Sequence, residues 1–321
     1  MFDAFYVAGG LVLLYFGAEF LIAGAAGLAN SYRIRPIIVG LTVVAYGTSA
    51  PELVVGLSAS ANDQGAIALG NVIGSNIANL GLILGVTALI APAAVERALL
   101  VREVPVLLVV TALVPAVMLD GRMATWEAAG FVLLALGYSA WMISSARVGA
   151  VSDAGQMETD AELAAGLPLE AGRVRMAIRA VVGLGLLIVG GHALVEGAIG
   201  VARTFGMSER LIGLTIVAVG TSLPELATSA IAAVRGHAAL AVGNVIGSNL
   251  FNILLVGGAS GLVGRVGAPL DTLTVDLIAL GAFTAFAAVA MITGRRVSRR
   301  EGALLVGGYL AFLLVLIEQA S

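Results

Sequence analysis

Ten stretches of this chain are each long and apolar enough to cross a bilayer, and they leave little chain for anything else. Spanning the hydrocarbon core takes about 20 mainly apolar residues. The stretches run over 4–28, 36–61, 66–91, 103–119, 124–146, 176–202, 210–234, 238–263, 273–293 and 301–318, and the fourth is short and carries Pro105 and Pro115. Composition agrees, since 60% of residues are hydrophobic and only 12% charged, which excludes an ordinary soluble domain. The first stretch has Asp3 and no basic residue ahead of it and is too long for a signal segment, so it reads as a retained first helix. The expected fold is an all-α polytopic membrane protein of ten transmembrane helices.

Inside these apolar stretches one polar paragraph occurs twice. Gly47-Thr48-Ser49-Ala50-Pro51-Glu52 is followed by Gly70-Asn71-Val72-Ile73-Gly74-Ser75-Asn76 and Asn79. Gly220-Thr221-Ser222-Leu223-Pro224-Glu225 is followed by Gly243-Asn244-Val245-Ile246-Gly247-Ser248-Asn249 and Asn252. Glu52 and Glu225, Gly70 and Gly243, and Asn79 and Asn252 are all 173 positions apart. The spacing predicts two five-helix repeats, 1–146 and 176–321, joined by a polar linker over 147–175 that holds Asp153, Glu158, Asp160, Glu162 and Glu170.

Arginine placement sets the expected orientation, because cytoplasmic loops collect basic residues. With the chain starting outside, thirteen of the 17 basic residues, all Arg, fall on cytoplasmic connections and four (Arg122, Arg203, Arg210 and Arg265) on the other side. Both termini are then outside the cytoplasm. An odd number of helices per half makes the second half enter the membrane from the opposite side, an inverted-topology repeat that places a substrate site near the midplane.

Proline predicts broken second and seventh helices. Pro51 and Pro224 lack an N–H and crowd the carbonyl four residues back, which is expected to disrupt the backbone around Ala45 to Gly47 and Ala218 to Gly220 and free carbonyl ligands. Thr48 and Glu52, like Thr221 and Glu225, are four apart and share a helical face. Asn71, Ser75 and Asn79 form a stripe in the following helix, as do Asn244, Ser248 and Asn252. The glycines have a plain packing explanation, since Gly70-xxx-Gly74 and Gly243-xxx-Gly247 let membrane helices approach closely. The glutamates do not. A carboxylate at the centre of a spanning helix costs roughly 2.5 to 3.5 kcal/mol on insertion scales, and such residues mark ion or proton pathways.

The donor atoms select the ligand class. Two carboxylates with hydroxyl, amide and backbone oxygens suit a hard cation, and Ca²⁺ takes about 6 to 8 oxygens in flexible geometry. Mg²⁺ demands a tighter octahedron. Cysteine is absent and neither His192 nor His237 lies in the motifs, so soft-metal chemistry is disfavoured. Neutral oxygens also suit Na⁺.

The doubled motifs, in this loop-poor chain, resemble the two signature repeats of the sodium/calcium exchanger family, within the cation/calcium exchanger superfamily and of compact prokaryotic type. The resemblance implies that Glu52 and Glu225 are the central Ca²⁺ carboxylates, which also serve Na⁺. Thr48 and Thr221 complete the site, and Ala45 and Ala218 offer backbone carbonyls. Ser49, Ser75, Ser222 and Ser248 flank Na⁺ positions, and Asn79 and Asn252 sit at the middle. Some relatives, including potassium-dependent ones, carry Asp at the position of Asn252, and the lower charge of Asn here disfavours potassium co-transport. The implied activity is secondary active, electrogenic antiport of Na⁺ against Ca²⁺ by alternating access, from a prokaryotic cytoplasmic (inner) membrane, with no cofactor and no nucleic-acid partner, in a monomer bedded in lipid.

Other readings stay open. Two carboxylates in one cavity titrate as a coupled pair, so a Ca²⁺/H⁺ antiporter is the nearest alternative. A passive cation channel and an intramembrane enzyme are further ones, the second disfavoured because no HExxH motif and no nucleophile accompany the acids. Helices 1 and 6 are rich in glycine (Gly9, Gly10, Gly17, Gly24, Gly27; Gly183, Gly185, Gly190, Gly191, Gly197), which fits either sliding against the other eight or close packing. His192 falls at the repeat position of Glu19, and Glu196 one turn beyond it is a local partner by spacing. Trp126, Trp141, Tyr138 and Tyr309 read as interfacial anchors or packing. The acidic linker lacks an EF-hand loop and reads as a solvated connector.

Overall fold

Helices account for nearly all of the computed structural model, which describes residues 2–32, 34–149, 172–206 and 218–320. In the first half, α1 is Phe2–Tyr32, α2 Ile37–Thr48, α3 Ala50–Ala61, α4 Gly65–Ile90, α5 Arg97–Val117 and α6 Thr125–Gly149. In the second, α7 is Arg173–Thr204, α8 Ala218–Gly220, α9 Leu223–Val234, α10 Ala238–Val263, α11 Leu270–Ile292 and α12 Arg299–Ala320. Among the described residues, seven helices (α1, α4, α5, α7, α10, α11 and α12) are long and apolar enough to span a membrane. The pair α2 and α3, bent by 44° at Ser49, makes an eighth when taken as one span. The other two expected spans are α6 and the one ending in α9, whose beginning at 210–217 lies outside the described residues. So do the linker acids Asp153, Glu158, Asp160, Glu162 and Glu170.

The fourth span starts earlier than its apolar run, at Arg97 instead of 103. Its charged residues have partners that let the helix extend. The Arg102 guanidinium lies 4.3 Å from the centre of the Trp141 ring, and Glu103, buried in the membrane segment, accepts a hydrogen bond of 2.9 Å from the Tyr138 hydroxyl.

Repeat equivalence is visible in small details. Two residues of β1, Ala93–Ala94, pair antiparallel with β2, Arg296–Val297. At the corresponding point of the other half, Arg122 bridges to Gly267. The α-helical ladder loosens to a π turn at Asn79–Ile83 within α4 and again at Asn252–Gly257 within α10. Both of these begin on the asparagine of the repeated motif, and a third π turn, Gly40–Val44, lies within α2.

The core has two parts. The larger unites α4, α5, α10 and α11 with parts of their neighbours. The smaller is centred on α1 and α7, through Leu14, Ala18, Leu21, Ile22, Ala180 and Leu187, and joins the rest through Val39, Val44, Ala232, Leu240 and Ala241. Glycine explains how α1 and α7 meet. Gly10, Gly17 and Gly24 on one helix, and Gly183, Gly190 and Gly197 on the other, recur every seven residues and face backbone. A methyl group added at Gly183 would lie 2.3 Å from the Leu21 nitrogen, and one at Gly24 2.6 Å from the Ala180 nitrogen. Because the pairing runs Gly10 to Gly190 and Gly17 to Gly183, the helices are antiparallel. Gly9 and Gly185 meet nothing described within 4 Å and lie off this seam.

The second motif's glycines also fit tightly. A methyl at Gly243 would lie 2.6 Å from the Ile37 carbonyl oxygen, and one at Gly247 2.6 Å from that of Leu41, so α10 lies directly on α2. No described atom comes within 4 Å of such a group at Gly70 or Gly74. Among the described residues, close approach through this motif is seen in one half only; the positions equivalent to Ile37 and Leu41, 210 and 214, lie outside them.

Candidate ion site

The two proline breaks fall later than proline alone suggests. Ala45–Thr48 is helical and the chain leaves helix at Ser49, with φ −84° and ψ 9°. Ala218–Gly220 is likewise helical, and the second break covers Thr221 and Ser222, where Ser222 has φ −87° and ψ 8°. Each proline occupies the first turn of the next helix, where a missing N–H costs nothing because that group has no intrahelical partner anyway. Disruption therefore moves to the residues just before it. The Ala45 carbonyl keeps a helical partner, accepting from the Ser49 N–H at 3.0 Å, and takes a weak second bond of 3.4 Å from the Thr48 hydroxyl. It was expected to be free and is not.

Both carboxylates are buried, Glu52 at 1% exposure and Glu225 at 0%. They stand close enough to repel each other. Their hydrogen bonds cross between halves. Ser49 of the first motif donates to Glu225 Oε1 at 2.7 Å, and Ser222 of the second donates to Glu52 Oε1 at 3.2 Å. Thr221 also acts on Glu52, and Thr48 on Glu225. Each threonine thus lies near the opposite half's acid, with the Thr48 hydroxyl donating to the Asn244 amide oxygen at 3.3 Å.

The asparagine helices follow the same exchange. The π turn starting at Asn79 packs on α9, and the one starting at Asn252 packs on α3. Asn79 and Asn252 are fully buried, and neither amide has a hydrogen-bond partner on its oxygen or its nitrogen. Glu52 Oε2, Glu225 Oε2 and Ser248 Oγ are likewise buried without partners. Leaving such groups unpaired in a dry interior is expensive, so these atoms mark a site shaped for something that supplies charge or donors. Ser75 is buried too, but its hydroxyl donates to the Asn71 carbonyl at 2.7 Å, which leaves only its oxygen lone pairs free.

The partners of the striped asparagines, and the parts of Ser229, Tyr46 and Glu103, were not foreseen. Asn71 donates to the Glu52 backbone carbonyl at 2.9 Å, so its amide holds the broken segment and not the ion cluster. Asn244 donates to Ser229 Oγ at 3.0 Å, and its own oxygen accepts from the Thr48 hydroxyl at 3.3 Å. Ser229 gave no repeat signal because its equivalent is Gly56. Asn76 and Asn249 each return a bond of 2.7 Å to the carbonyl four residues back. Tyr46, just ahead of the first motif, stacks on Phe251 at 4.6 Å and touches Ser139. Glu103, a third membrane carboxylate, is satisfied by Tyr138 and belongs to the α5–α6 contact.

Among the described residues no three His, Cys, Asp or Glu side chains come together. The donor set is two carboxylates surrounded by neutral oxygen. That composition fits a hard cation carried transiently.

Comparison with known proteins gives the family. The model of the family described as sodium/calcium exchanger protein matches residues 2–144 and again 176–318. The chain belongs to the sodium/calcium exchanger family. It is 38% identical to the Putative antiporter CaxA of Alkalimonas amylolytica, over 98% of both chains. To Sodium/calcium exchanger MaX1 of Methanosarcina acetivorans it is 33% identical over 96% of each. In structure it resembles the sodium-calcium exchanger NCX_Mj soaked with zero Na⁺ and Ca²⁺, with a TM-score of 0.82, 29% identity and 98% of both chains covered. The exchanger family is one of integral membrane ion transporters, and the duplicated carboxylate motif lies once in each matched segment.

Proposed function

We propose that this family member exchanges Na⁺ for Ca²⁺ through one cluster centred on Glu52 and Glu225, by alternating access. The observation that carries the reading is the crossed bonding of the two acids to Ser222 and Ser49, beside partnerless oxygens of Glu52, Glu225, Asn79, Asn252 and Ser248. Ca²⁺ neutralises both carboxylates. Several Na⁺ ions can use the same oxygens, so each species excludes the other. With either cargo bound, the cluster can be occluded in the apolar interior. Empty, it carries two unpaired charges and is costly to bury, which couples the two fluxes.

In this reading Thr48 and Thr221 complete the central site. Ser49, Ser75, Ser222 and Ser248 help form the flanking Na⁺ positions, with the Ala45 carbonyl, which gives up its weak Thr48 bond to the ion, and the Ala218 carbonyl as backbone ligands. The halves are 1–146 and 176–321, joined by a cytoplasmic linker over 147–175, and the doubled family match supports that division. Arginine placement supports a cytoplasmic membrane location with both termini outside the cytoplasm. We propose an electrogenic monomer without cofactor or potassium requirement.

Purified protein in vesicles tests this directly. Ca²⁺ uptake should follow an outward Na⁺ gradient at clamped pH and should not follow a pH gradient without Na⁺. The reverse result would assign a Ca²⁺/H⁺ antiporter, and downhill Ca²⁺ flux with no counter-ion would assign a channel.

A further inference from the structure

We infer that Glu19 and Arg235 form a latch holding one end of the molecule shut, and that His192 with Asn62 and Asp63 is its counterpart in the opposite state. The inference deepens the alternating-access reading and rests on it.

The Arg235 guanidinium holds Glu19 Oε1 through Nε at 2.7 Å and Nη2 at 2.6 Å. The pair ties α1 to the turn after α9. At the same end Ala18, Leu21 and Ile22 share a core with Ala232, Leu240 and Ala241, and α1 is seated firmly on α9.

The 173-residue register carries Glu19 onto His192 and Arg235 onto Asn62, and the α1–α9 contact onto one between α7 and α3. That second contact is nearly absent, because α7 touches α3 at most glancingly among the described residues. A cavity of about 330 Å³ lies there instead, lined by His192 and Val195 of α7, by Pro51, Val54 and Val55 of α3, and by Pro224. His192 is exposed in it, and Asn62 and Asp63 are exposed at the end of α3. Two equivalent places in an inverted repeat thus have opposite conditions, one closed and ion-paired, the other parted.

The glycine seam links them. With backbone against backbone along their whole length, α1 and α7 move as one body, so seating one end of the pair unseats the other. In the opposite state α7 closes on α3 and brings the His192 imidazole within reach of the Asn62 amide or Asp63 carboxylate, while Glu19 and Arg235 part. Each pair then weights one of two populations. A partly exposed ion pair carries a shift of roughly two- to fivefold.

The absence of native cysteine makes the test clean. The H192C/N62C protein is treated with a short bismaleimide, and its cross-linking rate is measured alone and with E19Q, R235Q or the charge exchange E19R/R235E. The single changes should raise the rate about two- to fivefold, and the exchange should return it to the starting value. Once linked, the protein should protect a cysteine placed at Val195 from maleimide, because the cavity has closed. An unchanged rate in E19Q and R235Q overturns the latch, and so does a rate equally raised in E19R/R235E, which would mark mere loosening. A link that leaves position 195 reactive overturns the His192 counterpart. None of these readouts needs transport, so failure of Na⁺/Ca²⁺ exchange in vesicles would be seen separately.

Discussion

In α4 a π turn opens on Asn79, and in α10 one opens on Asn252; one helical turn beyond the carboxylates the halves part, with Gly56 in α3 and Ser229 in α9. On the first side Asn71 is left to hold the Glu52 backbone carbonyl. On the second, Ser229 takes the Asn244 amide, and Asn244 in turn accepts from Thr48. Duplication has kept the charge and its asparagines equivalent, while single flanking residues decide which oxygens remain free. A symmetric charge cluster can therefore sit in a molecule whose two ends differ.

Neutralising either acid tests the equivalence most severely. Glu52→Gln and Glu225→Gln should each lower Na⁺-driven Ca²⁺ uptake by about a hundredfold or more, since each removes half the charge that holds the divalent ion. Circular dichroism should show both proteins folded. If only one substitution mattered, the two halves would not share a single site.

The seam between α1 and α7 gives the next effect. Gly183→Val would force a side chain against the Leu21 backbone, and thermal unfolding in detergent should report a loss of about 1 to 3 kcal/mol. Gly185→Val, two residues away, meets nothing described within 4 Å and should leave the unfolding temperature unchanged.

The crossed serines differ in length and should differ in consequence. Ser49→Ala removes a bond of 2.7 Å from Glu225, and Ser222→Ala one of 3.2 Å from Glu52. Bonds to charged groups contribute about 1.5 to 3 kcal/mol. Titrating Ca²⁺ should give a weaker apparent affinity in both, by roughly tenfold or more for Ser49→Ala and by less for the longer bond lost in Ser222→Ala. Equal effects would mean that the unequal lengths carry no energetic difference.

Exchanging the flanking residues is the finest probe. Ser229→Gly frees the Asn244 amide and should change the apparent Ca²⁺ affinity by about a factor of five or less, the scale of one neutral hydrogen bond. Gly56→Ser brings a Cβ to 2.6 Å from Ser260 Oγ, a hydroxyl that can turn away, so a loss of similar size is expected. The same affinity titration reads both.

Much of this was legible beforehand because hydrocarbon is an exacting solvent. Apolar runs located the membrane helices, and two acids within them stood out against the cost of burial. Proline marked the breaks, but about two residues early, since it meets no penalty in the first turn of the helix it begins. No signal announced the π turns that start at Asn79 and Asn252, unlike the one at Gly40–Val44, which begins on a glycine four residues after Pro36. Ser229 and Glu103 were passed over because neither belongs to a repeated motif, and their roles depend on Asn244 and Tyr138, distant in sequence.

Residue types and their spacing along one helix were enough for the membrane class and the doubled carboxylate motif, and they pointed to a hard cation. The packed helices were needed to see that Ser49 serves Glu225 and Ser222 serves Glu52, that α1 and α7 run backbone to backbone, and that Glu19 meets Arg235 while His192 faces a cavity. These are contacts between helices more than a hundred residues apart, and their partners are chosen by how the two halves interdigitate, which no local pattern encodes.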